Sequence, residues 1–310
     1  MRQSPVLLIT FNRPAYVEKM VKALRNAKVA NLYVFKDGPR PNNSEDYVAS
    51  KKIEHIIAAI DWDCEVKTNY MQNNLGCGYG PFSAISWAFQ YEDELIILED
   101  DCIPTISFFD FCNQMLEKYK DNPKVRHISG RSQYSECPIF NEYDYIFSQY
   151  APTWGWATWK RTWKDFDMQM RNLADFFRNG GFSSQFATKQ EATFFNKRYY
   201  NTLKNTSMVF HIWDFQYGLH SRIDGSLGIV PALNLIHYIG VEGTHPVNID
   251  SNYTNLKSNE NFRIKKEPTY IELDSAYEQE YFRRFVKDKS IFWYMRHKLT
   301  NILNQFIDKR

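Results

Sequence analysis

The chain has 310 residues, 44% hydrophobic and 24% charged, which excludes a disordered chain and allows one large domain or two modest ones, with a substantial core. Lys and Arg number 38 against 36 Asp and Glu, so there is no general electrostatic pull toward nucleic acid. Five cysteines, at 64, 77, 102, 112 and 137, form no CxxC pair, which argues against a disulfide framework or a zinc site.

In chain order, the first 130 residues alternate between two periods. Val6–Ile9 is a short apolar run suited to a strand buried on both faces and too short for a signal peptide. After Pro14, Val17, Met20, Val21 and Leu24 mark one face of a helix. Asn31–Phe35 is the next strand, ended by Asp37-Gly38-Pro39. Ile53, Ile56, Ile57 and Ile60 stripe a second helix, and Glu65–Asn69 is a weaker strand. Gly76, Gly78 and Gly80 read as a loop, with a third helix after Pro81 carrying Phe82, Ile85 and Phe89. Leu95–Leu98 is a clean apolar strand running into Glu99-Asp100-Asp101. Phe108, Phe111, Met115 and Tyr119 mark a fourth helix, and Val125–Ser129 a fifth strand. This alternation predicts an α/β fold, a mostly parallel sheet with helices on both faces. Ligands in such folds sit at the carboxyl ends of the strands, where Thr10 to Arg13, Asp37 and the acidic triplet cluster.

Beyond residue 130 the alternation fades. Residues 150–163 hold four Trp within ten positions. Helical patterns cover 172–178 and 188–204, an apolar, Gly-rich stretch runs over 225–243, and 250–266 reads as an irregular connection. The nearest approach to a membrane span, Leu227–Val241, is interrupted by Pro231, Asn234 and His237. The expected compartment is the cytoplasm, with reduced thiols. The last thirty residues, Tyr281–Arg310, carry a net charge of +6 and alternate basic with bulky apolar residues. A basic amphipathic helix of that kind suits an anionic membrane surface, packing on the main domain, or a second subunit.

Three acids at the end of a buried strand repel one another. A divalent cation resolves the conflict, and Mg²⁺ or Mn²⁺ held by one or two carboxylates plus a diphosphate is a sensible site; a solvated acidic turn is the plainer alternative. Asn12 and Arg13 can donate to phosphate or ribose, Arg with a rigid fork, and Asp37 can accept from a base or a ribose hydroxyl. No G-x-G-x-x-G follows the first strand and no Walker A pattern is present, which disfavours hydride transfer and P-loop chemistry.

With these pieces in order, the chain resembles nucleotide-sugar glycosyltransferases of the GT-A fold, especially the inverting branch holding bacterial family 2 enzymes and the Golgi N-acetylglucosaminyltransferase I. The matching segments are PVLLITFNRP (5–14), FKDGP (35–39), NLGCG (74–78), IILEDDCIP (96–104), APTWGW (151–156), HIWDFQ (211–216) and EGTH (242–245). The resemblance implies a nucleotide-sugar-binding half over 1–130 and an acceptor-binding and catalytic half over 131–250 of one domain. A connection and a basic helical tail then occupy 251–310. It implies that Thr10, Asn12 and Arg13 line the nucleotide pocket, that Asp37 faces the base, and that Asn74 and Gly76 border the donor. Glu99 and Asp100 would contact the nucleoside-sugar, Asp101 would ligate Mn²⁺ or Mg²⁺ with His245 nearby, and Asp214 would be the catalytic base. Phe215 follows Asp214 where many members carry a second acid.

The implied partners are a nucleotide-sugar donor, a glycan or lipid-linked acceptor and, through 281–310, a membrane surface. Trp154, Trp156 and Trp213 suit the apolar face of a sugar, with core packing as the alternative for each. Asp214 has a structural alternative too, pairing with Arg222 or capping a helix. The expected activity is metal-dependent inverting glycosyl transfer from a UDP-sugar. A non-catalytic carbohydrate- or membrane-binding protein on the same scaffold is the second reading, and nucleotidyl transfer the third.

Overall fold

The computed structural model describes residues 3–134, 142–171, 173–179, 186, 188–204, 213–240 and 256–287. Its first half follows the predicted alternation: β1 (Val6–Thr10), α1 (Pro14–Asn26), β2 (Asn31–Lys36), α2 (Ser44–Ala58), β3 (Glu65–Tyr70), α3 (Gly76–Ala88), β4 (Glu94–Glu99), β5 (Cys102–Pro104), α4 (Ile106–Tyr119) and β6 (Val125–Ser129). The second half adds β7 (Tyr145–Ser148), β8 (Trp156–Trp159), α5 (Lys160–Trp163), α6 (Leu173–Arg178), α7 (Lys189–Lys204), α8 (Asp214–Asp224), β9 (Leu227–Pro231), β10 (Ile236–Tyr238) and α9 (Ser275–Tyr281), followed by a π-helical turn, Phe282–Lys287.

Local chemistry explains the boundaries. Pro14 opens α1, where its missing N–H is no loss. Asn43 and Thr105 accept the N–H groups of Asp46 (3.0 Å) and Phe108 (3.2 Å) and so cap α2 and α4.

Eight strands form one sheet in the order β3-β2-β1-β4-β8-β6-β9-β7. β8 lies antiparallel between β4 and β6, and β7 antiparallel to β9; the other neighbouring pairs are parallel. Six strands therefore point one way, and the sheet is mostly parallel. Strands from both halves of the chain contribute to it. β5 and β10 form a separate antiparallel pair.

Alternation along β1 sends Val6 and Leu8 to one face and Leu7 and Ile9 to the other. α1, α2 and α4 cover the first face. α3 and α8 cover the second, together with Trp156, Trp163 and Trp213. This is the Rossmann-like architecture expected from the sequence, with a C-terminal helical extension. α9 and the π-helical turn pack with α7 and α8 against Ile146 of β7 and Val230 of β9. Among the described residues no helix is long and apolar enough to cross a membrane. The amphipathic stretch 288–310 lies outside them.

Two sequence expectations need correction. β8 was not legible as a strand, yet it occupies the middle of the sheet and separates β4 from β6. α3 begins at Gly76 rather than after Pro81, so the three glycines form its opening turns instead of an open loop. Pro81 sits one turn in, and the chain enters the helix through Gly76, at φ +77°, a conformation open to glycine without a Cβ penalty.

The C-terminal extension is docked through a buried polar network. Glu278 of α9 accepts from Ser148 Oγ and from the Gln149 N–H (3.1 Å). Arg222 and Glu191 lie in the same buried layer, and Tyr150 donates to Glu191. Burial pushes the Glu278 carboxyl from 4.5 up to about 7, against the pull of Arg222 and the Ser148 bond. A carboxyl raised on folding binds more protons in the folded state, so its contribution is greatest below about pH 4.5 and is lost as pH rises through 7. That is on the order of 3 kcal/mol across the interval. Glu278→Gln keeps an acceptor for Ser148 and Gln149 but cannot ionise. Its melting temperature should fall less between pH 5.5 and 8 than that of the wild type, as followed by circular dichroism. Parallel curves would show that Glu278 does not titrate there.

Candidate functional site

The parallel register sets Ile9 beside Glu99 and Thr10 beside Lys36, so the ends of β1, β2 and β4 share one sheet edge. The acidic triplet stands on that edge. Asp100 is 1% exposed. Its Oδ2 accepts from Thr10 Oγ1 at 2.9 Å, and its Oδ1 pairs with Arg13 Nη2. The other arm of the same guanidinium, Nη1, donates to Asp101 Oδ2 at 3.0 Å. Cys102 Sγ donates to Asp101 Oδ1 at 3.4 Å. Burial works against the Arg13 cation, and the two carboxylates more than offset it. Glu99 has no donor among the described residues. Burial and the charges of Asp101, Asp100 and Asp214 push its carboxyl up to about 8. Burial also lifts Asp100 to about 6, against the pull of Arg13.

Charge balance at the triplet thus comes in part from within the chain. Arg13 already compensates Asp100 and Asp101. Glu99 and the remaining lone pairs of Asp101 are left for a metal, and no group of three ligating side chains occurs among the described residues. Two carboxylates fit Mn²⁺ or Mg²⁺ only as a site that substrate phosphates complete. His245 lies outside the described residues.

The residues expected around the base are largely engaged with one another. Asp37 accepts from the N–H groups of Gly38 (2.8 Å), Leu75 (2.8 Å) and Gly76 (3.0 Å) and from Asn74 Nδ2 (3.0 Å). Four donors fill the four acceptor positions of a carboxylate. Asp37 therefore ties the end of β2 to the start of α3, where it was expected to face a base. Asn74 also donates to Gly38 O at 2.9 Å, so Asn74 and Gly76 serve the same junction. Asn12 Nδ2 is bound by Asp46 Oδ1 at 2.7 Å, and Arg40 holds the same carboxylate.

Asp214 is the first residue of α8, exposed, with Oδ1 accepting the Phe215 N–H at 2.8 Å. The Arg222 guanidinium, offered as a partner for it, donates to Gln149 Oε1. The charge of Asp214 helps to raise both Glu99 and the exposed thiol of Cys77. Residues from α8, from the end of β4 and from the start of α3 thus share one electrostatic environment. Asp214 and Trp154 line a common cavity of about 330 Å³, with His127, Gln149, Tyr217 and Tyr281 in its wall. Trp154 stacks on Tyr238, ring centroids 4.6 Å apart, and carries the Arg131 guanidinium 4.4 Å from its ring.

Trp156 and Trp213 are elsewhere. They are 1% and 4% exposed and stack on each other in the core of the second face, so neither meets an acceptor. Gly155 separates the two environments: at φ +67° it turns the chain between Trp154 and Trp156, and a Cβ there would meet Ile236 Cδ1 at 2.3 Å. His127, Gln149 and Cys77 were not singled out in the sequence. His127 lies inside a strand that reads as buried, and Gln149 is one polar residue in an aromatic run.

No family model matches the chain, and no curated protein does. Fifty-three solved chains are similar to it. One is UDP-glucose pyrophosphorylase complexed with UDP-glucose, 12% identical, with a TM-score of 0.27, over 52% of this chain and 71% of that one. A likeness so partial carries no functional argument, which has to come from the site's own residues.

Proposed function

We propose that the chain transfers a sugar from a nucleoside-diphosphate sugar to a hydroxyl acceptor with inversion. The observation that supports the reading is that Asp214 lines a cavity and lies close enough to the acidic strand end for its charge to raise Glu99. In this reading the donor lies along the ends of β1, β2 and β4 and the acceptor enters from the cavity. The acceptor oxygen bonds to the anomeric carbon while its proton passes to an Asp214 oxygen. The bond from that carbon to the diphosphate oxygen breaks, and the electron pair leaves with the diphosphate. Base assistance of this kind is worth about 10²–10⁴-fold. Charge grows on the leaving oxygens, where positive groups lower the barrier. Arg13 is the cation paired with the triplet among the described residues. Glu99 and Asp101 would hold Mn²⁺ or Mg²⁺, which supplies further charge stabilisation to a leaving diphosphate when bound.

The saturation of Asp37 favours a second reading, carbohydrate binding without turnover, because it removes one expected contact to the base. Calorimetric titration with UDP separates the two when followed by a donor-hydrolysis assay. The expected result is UDP binding that Mn²⁺ tightens by about tenfold or more, a gain lost in Asp101→Ala. UDP affinity equal in Mn²⁺ and in chelator would remove the metal from the reading. UDP-sugar binding with no hydrolysis or transfer would favour the second.

A further inference from the structure

The charge of the chain is unevenly placed. Residues 281–310 carry a net charge of +6, which leaves the first 280 residues at −4. Charge separated in this way turns one face of a protein toward an anionic partner and the rest away from it. The folded domain shows where the basic part begins. The π-helical turn Phe282–Lys287 sets Phe282 against Phe194 of α7, ring centroids 5.6 Å apart. The turn and α7 thus lie side by side over one apolar cluster.

Together α7 and residues 275–287 hold seven Lys or Arg and three Glu. Two of those acids face inward: Glu191 and Glu278 are buried, and they accept from Tyr150 and Ser148. The third, Glu280, accepts from Arg283 at 2.7 Å. The charge these two elements present outward is therefore positive. Along α7, Lys189, Thr193 and Lys197 recur every four residues and are exposed, on the side opposite the buried Glu191, Phe195 and Tyr199. Tyr200 adds a ring that is 51% exposed, and Arg284 of the turn is exposed as well.

The sequence continues from Lys287 in the same character. Residues 288–310 include five Lys or Arg and two Asp, interleaved with Ile291, Phe292, Trp293, Tyr294, Leu299 and Phe306. Cations beside aromatic and aliphatic side chains suit an anionic bilayer: the charges meet the lipid headgroups, and Trp and Tyr favour the headgroup level. A nucleic acid would draw on the cations and on flat rings, but not on the aliphatic side chains.

We propose that the outer face of α7 and the π-helical turn, continued by residues 288–310, docks the protein on an anionic lipid surface. Tyr281, the residue before the turn, lines the same cavity as Asp214. Docking through this face therefore holds that cavity beside the headgroups. The docking face stands apart from the transfer reading; what rests on that reading is the consequence that the acceptor is one carried at the lipid surface.

Flotation of the full chain with phosphatidylcholine vesicles, with and without phosphatidylglycerol as one lipid in three, tests the proposal apart from any turnover. The chain should bind the anionic vesicles about tenfold or more tightly than the neutral ones, and high salt should release it. Lys189→Glu combined with Lys197→Glu should weaken that binding about tenfold or more, with a melting temperature close to the wild type's. Arg296→Glu combined with Lys298→Glu should weaken it comparably. Equal binding to both kinds of vesicle, no binding to the anionic ones, or unchanged binding in either folded double variant would each overturn the proposal. So would tighter binding to a single-stranded RNA than to the anionic vesicles, which would assign the face to nucleic acid. A chain that floats with the anionic vesicles yet transfers no sugar would keep the docking face and lose the transfer reading.

Discussion

Asp214→Asn should lower turnover by about 10²–10⁴-fold and leave the dissociation constant for UDP within about twofold. The amide has the shape of the carboxylate and keeps an oxygen to accept the Phe215 N–H, so the start of α8 is preserved. It cannot take a proton from an acceptor hydroxyl. A purely structural Asp214 predicts a different pattern, a lower melting temperature with turnover per folded molecule unchanged. Transfer rates at saturating donor, UDP calorimetry and thermal melts on the same preparation distinguish the two. Unchanged turnover in a folded Asp214→Asn protein removes Asp214 from the base role.

The sequence revealed the first half of the fold almost completely, because strands buried on both faces are continuous apolar runs and helices against a sheet carry a stripe at 3.6 spacing. β1, β2, β3, β4 and β6 were each legible that way, as were α1, α2 and α4. The second half carries weaker signals. β8 is four residues, WATW, too short for alternation and dominated by rings that suit core and cleft alike. α8 has an interior Gly218 and little apolar periodicity, so its helical character was missed although Asp214 had been singled out. The meeting of Arg13 with the triplet followed from their positions at strand ends, whereas Asp214, the first residue of α8, was reached only through the resemblance. What fills each group did not follow. Asp37 is saturated by residues 38 and 74–76, a closure that only the spatial return of α3 to β2 creates. Trp154 and Trp156 are two positions apart, and only the positive φ of Gly155 separates the ring that lines the cavity from the one in the core.

Arg13→Ala should cost about 3 kcal/mol, the low end for removing one partner of a buried pair because Arg13 is itself partly exposed. The loss falls on Asp100, which would keep Thr10 as a donor but lose its counter-charge in a site closed to water. Asp101 is less affected, being nearer solvent and retaining the Cys102 contact. If an orphaned charge is the cause, Asp100→Asn placed on Arg13→Ala should recover most of the stability, since a neutral amide needs no cation. Lys at position 13 should fall between the wild type and Ala, because an ammonium cannot span two carboxylates as the forked guanidinium does. Chemical denaturation of the four proteins in the Arg13–Asp100 cycle gives the coupling directly. A double variant no more stable than Arg13→Ala would mean that packing against Tyr16, whose ring Arg13 covers at 5.0 Å, matters more than charge. UDP titration of the stable double variant then separates the second role of Arg13. Affinity restored along with stability makes Arg13 a scaffold for the acids, and affinity still lost makes it a direct contact to the diphosphate.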